Sequence, residues 1–355
     1  RVGADHDVDQ LFEILASAVR LAGDKADRLD LKITNAALKE MRQAFGVFTP
    51  YRDVPKVTVF GSARTRSDDP RYGQACELAR TLAGAGWMVV TGAGPGIMAA
   101  AIEGAGVDRS IGVNIRLPFE QGPTSLESDP KHVVMEYFFT RKLMLMKESA
   151  GFAVLPGGFG TLDEIFELLT LLQTGKATPA PIVLLDVPGG GYWQAWERFI
   201  RAEVVGRGMA DAADLLLCRI TDDVATAAAE IRGFYRNYHS VRWVGSRLVV
   251  RLKAAPSDRE LKALNRSFAD ICAEGDIVLT GPLPPEVTDD DHVELPRLRL
   301  HFDGKSYGRL RALVDAVNTF ASSPPLAPPS PDSAQAAASV PDEGDDGDDR
   351  DEGGR

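Results

Sequence analysis

Residues 156–164 read Pro-Gly-Gly-Phe-Gly-Thr-Leu-Asp-Glu, between an apolar run at 152–155 and a helical run at 165–172. That order predicts a strand, a glycine-rich turn and a helix start. Gly157, Gly158 and Gly160 permit φ > 0, so several N–H groups can converge on one point around Phe159. The first N–H groups of the following helix lack intrahelical partners, and the helix dipole favours negative charge there. Thr161 adds a hydroxyl donor. Glu164 cannot be present to greet phosphate, because like charges repel, so it faces sugar hydroxyls or water instead. Asp163 reads as an ordinary first-turn acid complementing the dipole. A phosphate site and a candidate catalytic carboxylate thus share nine residues.

Other segments converge on the same chemistry. Gly61-Ser62-Ala63-Arg64 follows the first apolar run directly, and Gly61 and Ser62 offer N–H and hydroxyl donors. Gly92-Ala93-Gly94-Pro95-Gly96 follows the second, with Pro95 suited to a first helical turn. This glycine pattern resembles a dinucleotide fingerprint only superficially. It follows strand two rather than strand one, and Asn114 stands in the region where an acid would contact the ribose. A nicotinamide cofactor is therefore set aside. Arg141-Lys142 places two cations in a first helical turn, against the dipole, which an anion in the same crevice would compensate. Glu120 ends another strand loop and is a second carboxylate candidate, equally readable as a loop acid in water. The five histidines show no triad or ligand spacing, and no zinc or calcium motif is present.

The elements that must hold these groups alternate. Apolar runs at 57–60, 88–91, 111–115, 133–138, 152–155, 182–185 and 215–220 are separated by helical stretches. Seven strands so spaced predict an α/β fold, a doubly wound, mostly parallel Rossmann-like sheet that binds ligands outside the carboxyl ends of its strands. Residues 1–50 carry apolar positions at helical spacing, giving one or two helices that pack on the core or on a partner subunit. The nucleotide-binding, catalytic unit is expected over 51–240. Residues 241–321 read as a small β-α-β-β-α module without a catalytic constellation. From 322 to 355 a Pro/Ala/Ser run and an acidic cluster cannot bury enough apolar surface to fold, so a disordered tail is expected.

Bulk composition narrows the partners. The net charge is −11, of which residues 341–355 supply −6, leaving −5 for the rest. A mildly acidic body argues against a broad nucleic-acid surface, though not against a local phosphate pocket. No apolar stretch approaches the ~20 residues of a membrane span, and no signal-peptide pattern opens the chain. Cys76, Cys218 and Cys272 are scattered in apolar or helical surroundings, as suits buried thiols in a reducing cytoplasm.

Taken together, Gly61-Ser62, the Gly92–Met98 turn, Arg141-Lys142 and the 156–164 motif resemble the Lonely-guy family of phosphoribohydrolases, once labelled lysine decarboxylases, over roughly residues 55–240. Residues 114–118 and 173–176 look like its longer bacterial branch. The resemblance implies hydrolysis of the N-glycosidic bond of a nucleoside 5′-monophosphate, a cytokinin riboside 5′-monophosphate or AMP-like, without metal or cofactor. It implies a catalytic pair at Arg141 and Glu164, and substrate contacts at Glu120, Lys142, the 158–164 loop and Thr170. A homodimer or higher homo-oligomer is implied as well. A second reading stays open: related sequences on this fold carry nucleotides or molybdenum cofactor without turnover. Lysine decarboxylation is rejected, because Lys142 beside Arg141 is a poor Schiff-base lysine.

Overall fold

Strands buried on both faces read as largely apolar runs, as the inner strands of residues 56–221 do. The edge segments 132–135 and 218–221 are mixed and partly exposed. In the computed structural model, which describes residues 8–116, 126 and 128–326, inner and edge strands together form one parallel sheet of seven strands. These are β1 (Lys56–Phe60), β2 (Met88–Thr91), β3 (Ser110–Ile115), β4 (His132–Met135), β5 (Gly151–Val154), β6 (Ile182–Leu185) and β7 (Cys218–Thr221). The spatial order is β4-β3-β2-β1-β5-β6-β7, so the direction of winding reverses between β1 and β5. Those two strands pair from Val57↔Gly151 to Phe60↔Val154. Connections leave the two strands toward opposite faces at such a switch point, which opens a crevice above their carboxyl ends.

The helices of this part are α1 (Val8–Gly23), α2 (Arg28–Phe48), α3 (Pro70–Gly84), α4 (Ile97–Ala105), α5 (Phe138–Lys147), α6 (Phe159–Gln173), α7 (Tyr192–Phe199) and α8 (Val224–Gly233). One face of the sheet is covered by Phe48, Met144, Leu145, Ile165, Leu168 and Trp193, from α2, α5, α6 and α7. Leu78, Leu82, Ile97, Ala100, Ala227 and Ile231, from α3, α4 and α8, cover the other. None of the helices among the described residues is long and apolar enough to cross a membrane.

Two strand boundaries differ from the expectation. The run at 133–138 ends as strand at Met135, because Met135 pairs with Ile115 and β3 offers no partner beyond it. Phe138 instead opens α5. The run at 215–220 begins as strand only at Cys218, the partner of the first β6 residue. Residues 212–217 before it wind into a tight 3-10 helix capped by Asp211. The thiols differ too: Cys76 is buried, but Cys218 and Cys272 are only half-buried. The N-terminal region forms two helices. α2 buries Ala37, Glu40, Ala44 and Phe48, while α1 buries no residue and leaves Leu11, Phe12, Leu15 and Val19 exposed.

Beyond α8 the chain builds β8 (Tyr238–Val244), β9 (Arg247–Leu252), α9 (Asp258–Phe268), β10 (Cys272–Thr280), α10 (Pro284–Thr288), β11 (Arg297–Phe302) and α11 (Tyr307–Thr319). Its antiparallel sheet has the order β10-β11-β9-β8. β8 was not anticipated; its Tyr-His-Ser-Val-Arg-Trp-Val sequence lacks a clean apolar run, yet it closes a hairpin on β9 through Gly245 at φ +60. Leu248, Val250, Leu298 and Leu300 face α9 and α11. Across the sheet, the carboxylate of Glu286 is fully buried against Arg251 and Arg297, each 2.7 Å from its Oε1. The acidic tail beyond residue 326 lies outside the described residues.

Removing one partner of a buried ion cluster leaves uncompensated charge, a loss of about 3–5 kcal/mol. Glu286→Ala is therefore expected to lower stability by about that amount in urea unfolding monitored by circular dichroism, whereas Asp289→Ala, at an exposed member of the cluster, should change it by less than about 1 kcal/mol. Equal losses in the two variants would contradict this account of the sheet.

Candidate active site

Parallel strands deliver their carboxyl ends to one edge, and the loops after β1, β2 and β5, with the end of β3 itself, line a crevice of about 660 Å³ at the switch point. Both Arg141 and Glu164 line it, although one comes from α5 and the other from α6. Gly61, Ser62, Gly92, Gly94 and the Gly157–Thr161 loop line it as well.

Arg141 reaches the crevice from the first turn of α5. Its Nε donates to the carbonyl of Val113 at the end of β3, 2.9 Å away, and its Nη2 approaches the Gly92 carbonyl at 3.5 Å. A Cβ on Gly92 would stand 1.9 Å from Nη2. Gly92 therefore makes room for the guanidinium rather than for a phosphate. Gly96 works differently. It adopts φ +67, its own Cβ would fall 2.3 Å from the Ser62 carbonyl, and it does not line the crevice. The next residue, Ile97, donates its N–H to that same carbonyl at 3.1 Å, which locks the β1 and β2 loops together. The Ser62 N–H is engaged with the Pro156 carbonyl, and its Oγ accepts from the Arg64 N–H. Only the hydroxyl hydrogen of Ser62 is left to offer a ligand.

The glycine motif departs from expectation in its backbone. Gly157, Gly158 and Gly160 are not among the glycines at positive φ, and Gly158 sits at φ −87 as the N-cap of α6. Residues 155–158 join the strand to the helix, whose first turn already contains Phe159 and Gly160. What these glycines supply is space. A Cβ at Gly158 or Gly160 would meet nothing within 4 Å, while one at Gly157 would strike the Oγ1 of the buried Thr161 at 2.1 Å. The Phe159 ring stands at the mouth, 94% exposed.

Glu164 follows one turn later. Burial pushes its pKa up to about 7, against the pull of Arg141 and Lys142 and with a further push from Asp163 and Glu167. Lys142 is not in the crevice: its Nζ lies 2.5 Å from Asp163 and 2.8 Å from Glu167, tying α5 to α6. The adjacent cations of the sequence thus diverge, as consecutive helical residues must, and Asp163 has an ion pair as well as the dipole. Thr170 lies about three turns along α6, donates to the Phe166 carbonyl at 2.7 Å and does not line the crevice. Glu120 falls outside the described residues.

Two lining residues were passed over in the sequence. Asn114 ends β3, and its Oδ1 accepts from the Ile115 N–H at 2.7 Å, which leaves its amide hydrogens for a ligand. Arg64 stands exposed at the rim. Their signal was position alone, at the carboxyl ends of β3 and β1.

A carboxyl whose folded pKa (about 7) exceeds its unfolded one (4.5) is protonated on folding, so its burial costs stability progressively as pH rises from 4.5 through 7. Glu164→Gln removes that cost. The variant is expected to unfold at higher urea than the parent at pH 8, by roughly 2–3 kcal/mol, with the gap shrinking at pH 5.5. A gap independent of pH would show that Glu164 is not desolvated.

Residues 96–231 match the family described as "Possible lysine decarboxylase", an interval that holds Arg141 and Glu164. The cytokinin riboside 5′-monophosphate phosphoribohydrolase of Mycobacterium tuberculosis is 33% identical over 128 residues, 34% of this chain and 66% of that protein. A probable enzyme of the same name from Arabidopsis thaliana is 43% identical over 60 residues, 17% of this chain and 28% of its own. The chain thus spans just under two thirds of the mycobacterial relative and little more than a quarter of the plant one. Among solved structures, the molybdenum cofactor carrier protein of Chlamydomonas reinhardtii is 24% identical, with 50% of this chain and 94% of that one covered at a TM-score of 0.35. Arg141 and Glu164, which share one crevice, thus both lie in the interval that matches the "Possible lysine decarboxylase" family model, and the chain is similar to phosphoribohydrolases of the Lonely-guy family.

Proposed function

We propose that the crevice hydrolyses the N-glycosidic bond of a nucleoside 5′-monophosphate, releasing free base and ribose 5-phosphate. The observation that carries this reading is the pairing of Arg141 with a carboxyl of raised pKa, Glu164, in a crevice lined by a helix start with glycine at 158 and 160. The activity named for the mycobacterial and plant relatives supports it.

In this proposal the phosphate takes the open ground beside Gly158 and Gly160, where the first amides of α6 and its dipole favour an anion. That anchor supplies remote binding energy and fixes the ribose. Breaking the C1′–N bond leaves its electron pair on the base and positive charge on the sugar. The ionised Glu164 stabilises that oxocarbenium character and takes the proton of the attacking water, whose oxygen forms the new bond to C1′. Arg141, which stays protonated, hydrogen-bonds to the departing base and neutralises its developing charge until the base takes a proton from solvent. Glu164 returns the water's proton to solvent. Asn114 offers amide donors to sugar hydroxyls or base. By analogy with removing one oxyanion donor, each of the two charged groups is worth about 2.7–4 kcal/mol in the transition state.

A panel of nucleoside 5′-monophosphates, assayed for free base, tests the reading. Turnover is expected, with a loss of about 10²–10³-fold in kcat for Arg141→Ala and Glu164→Gln and poor reaction of nucleosides lacking the 5′-phosphate. Tight binding of intact nucleotide without release of base would replace this reading with a carrier. Because the base must be ionised, kcat/KM should fall about tenfold per pH unit below about 7 and level off above it; a flat profile between pH 5 and 8 would remove Glu164 from the role. Gly92→Ala should cost about 100-fold in kcat while leaving the fold intact, since a methyl displaces the guanidinium by about 1 Å or more.

A further inference from the structure

We infer that Glu40, on the N-terminal helix α2 and outside the segment that matches the family, is a positioning residue for Arg141. The inference rests on the role given to Arg141 above.

Helix α5 has no cap of its own: Tyr137 occupies the N-cap and makes no side-chain bond to the first turn. A serine, threonine or aspartate there would supply one locally. The Tyr137 ring packs on Phe139 instead, with centroids 5.5 Å apart. The acceptors arrive from a distant part of the chain. Oε1 of Glu40 takes the Glu136 N–H at 2.9 Å, and Oε2 takes the Thr140 hydroxyl at 2.5 Å. Glu40 is 7% exposed and Thr140 wholly buried. No cation lies within ion-pair distance of this carboxylate among the described residues. A buried carboxylate without a counter-ion is expensive unless hydrogen-bonded, and here two bonds and the positive end of α5 compensate it.

Thr140 immediately precedes Arg141. Fixing Glu136 and Thr140 fixes the height and rotation of the first turn, and with them the root of the arginine side chain. The guanidinium tip is fixed separately, by the Val113 carbonyl, and a Cβ at Gly92 would displace it. A side chain clamped at its tip tolerates little movement at its root, so α2 and α5 must stay in register. Ala44 and Phe48 in the core, and the Lys147 ammonium 5.4 Å from the Phe45 ring centre, hold α2 along the rest of α5. The clamp is therefore specific to the turn that bears Arg141.

The test compares Glu40→Ala, Glu40→Gln, Thr140→Val and Thr140→Ser in the full chain. With adenosine 5′-monophosphate or the best nucleotide of the panel, Glu40→Ala and Thr140→Val should each lower kcat by up to about 100-fold with KM within about threefold. The double variant should be no worse than the poorer single one, because Glu40→Ala already breaks the bond that Thr140→Val removes. Thr140→Ser, which keeps the hydroxyl, should stay within about twofold, and Glu40→Gln, which keeps one acceptor, should fall between. A KM effect with kcat unchanged, multiplying losses in the double variant, or failure of Thr140→Ser to preserve rate would overturn the inference. A second arm needs no turnover. Arg141 holds the Glu164 titration down, so its displacement in Thr140→Val should raise the midpoint of the Glu164 carboxyl carbon signal and expose the Glu136 amide to hydrogen exchange. An unchanged midpoint in a folded variant would overturn the positioning role even if the parent releases no base, an outcome that by itself would overturn only the proposed hydrolysis.

Discussion

A guanidinium laid across the ends of two parallel strands is the constraint around which this crevice is organised. Arg141 extends from α5 to the Val113 carbonyl of β3, and its path passes where the side chain of residue 92 would stand. The end of β2 is therefore glycine. The helix behind it must also hold its first turn in place, and with Tyr137 as N-cap it borrows a carboxylate from α2 to do so. Strand, loop and N-terminal helix thus answer to one long, permanently charged side chain.

Charge is sorted on the facing helix by periodicity alone. Asp163 and Glu167 are four residues apart and share a face of α6, and Lys142 binds both. Glu164 is one residue on from Asp163, about 100° around the helix, and turns into the crevice instead. Lys142 offsets part of the charge of the two acidic neighbours of Glu164, while burial raises the Glu164 pKa to about 7. The glycine loop that begins the same helix contributes vacancy rather than unusual backbone. Its amides become accessible because no side chain at 158 or 160 covers them.

The four-stranded C-terminal sheet is stitched to the seven-stranded sheet by the chain that joins them. Asn318 on α11 accepts the N–H groups of Asn237 and Tyr238 at 2.8 and 2.9 Å and donates to the Phe234 carbonyl, and Tyr235 donates to the Ala150 carbonyl beside β5. On the far side of that sheet, Arg242, Arg251 and Arg297 are matched by Glu286, Asp289 and Asp291 from the α10 segment. Those arginines therefore serve packing of the α10 segment.

Local residue order was sufficient for the parallel sheet, for the crevice at its carboxyl edge and for the strand-to-helix glycine turn, because apolar runs bounded by glycine and proline report strands buried on both faces. It was also sufficient to point to Glu164 and to the Arg141-Lys142 pair, which stand at helix starts that a parallel sheet must bring to one side. It could not separate Arg141 from Lys142, whose side chains part only when α6 supplies acids for one and β3 a carbonyl for the other. Nor could it show that Gly92 accommodates an arginine forty-nine residues away, that Thr170 points elsewhere, or that β8 exists, since its polar face becomes a strand only through pairing with β9. The Glu40 clamp was equally invisible: a glutamate on an amphipathic helix reads as solvated until the fold buries it beneath a helix that lacks its own cap. Short-range pattern decides which elements form and where their ends lie, whereas contacts between distant segments decide what each polar side chain meets.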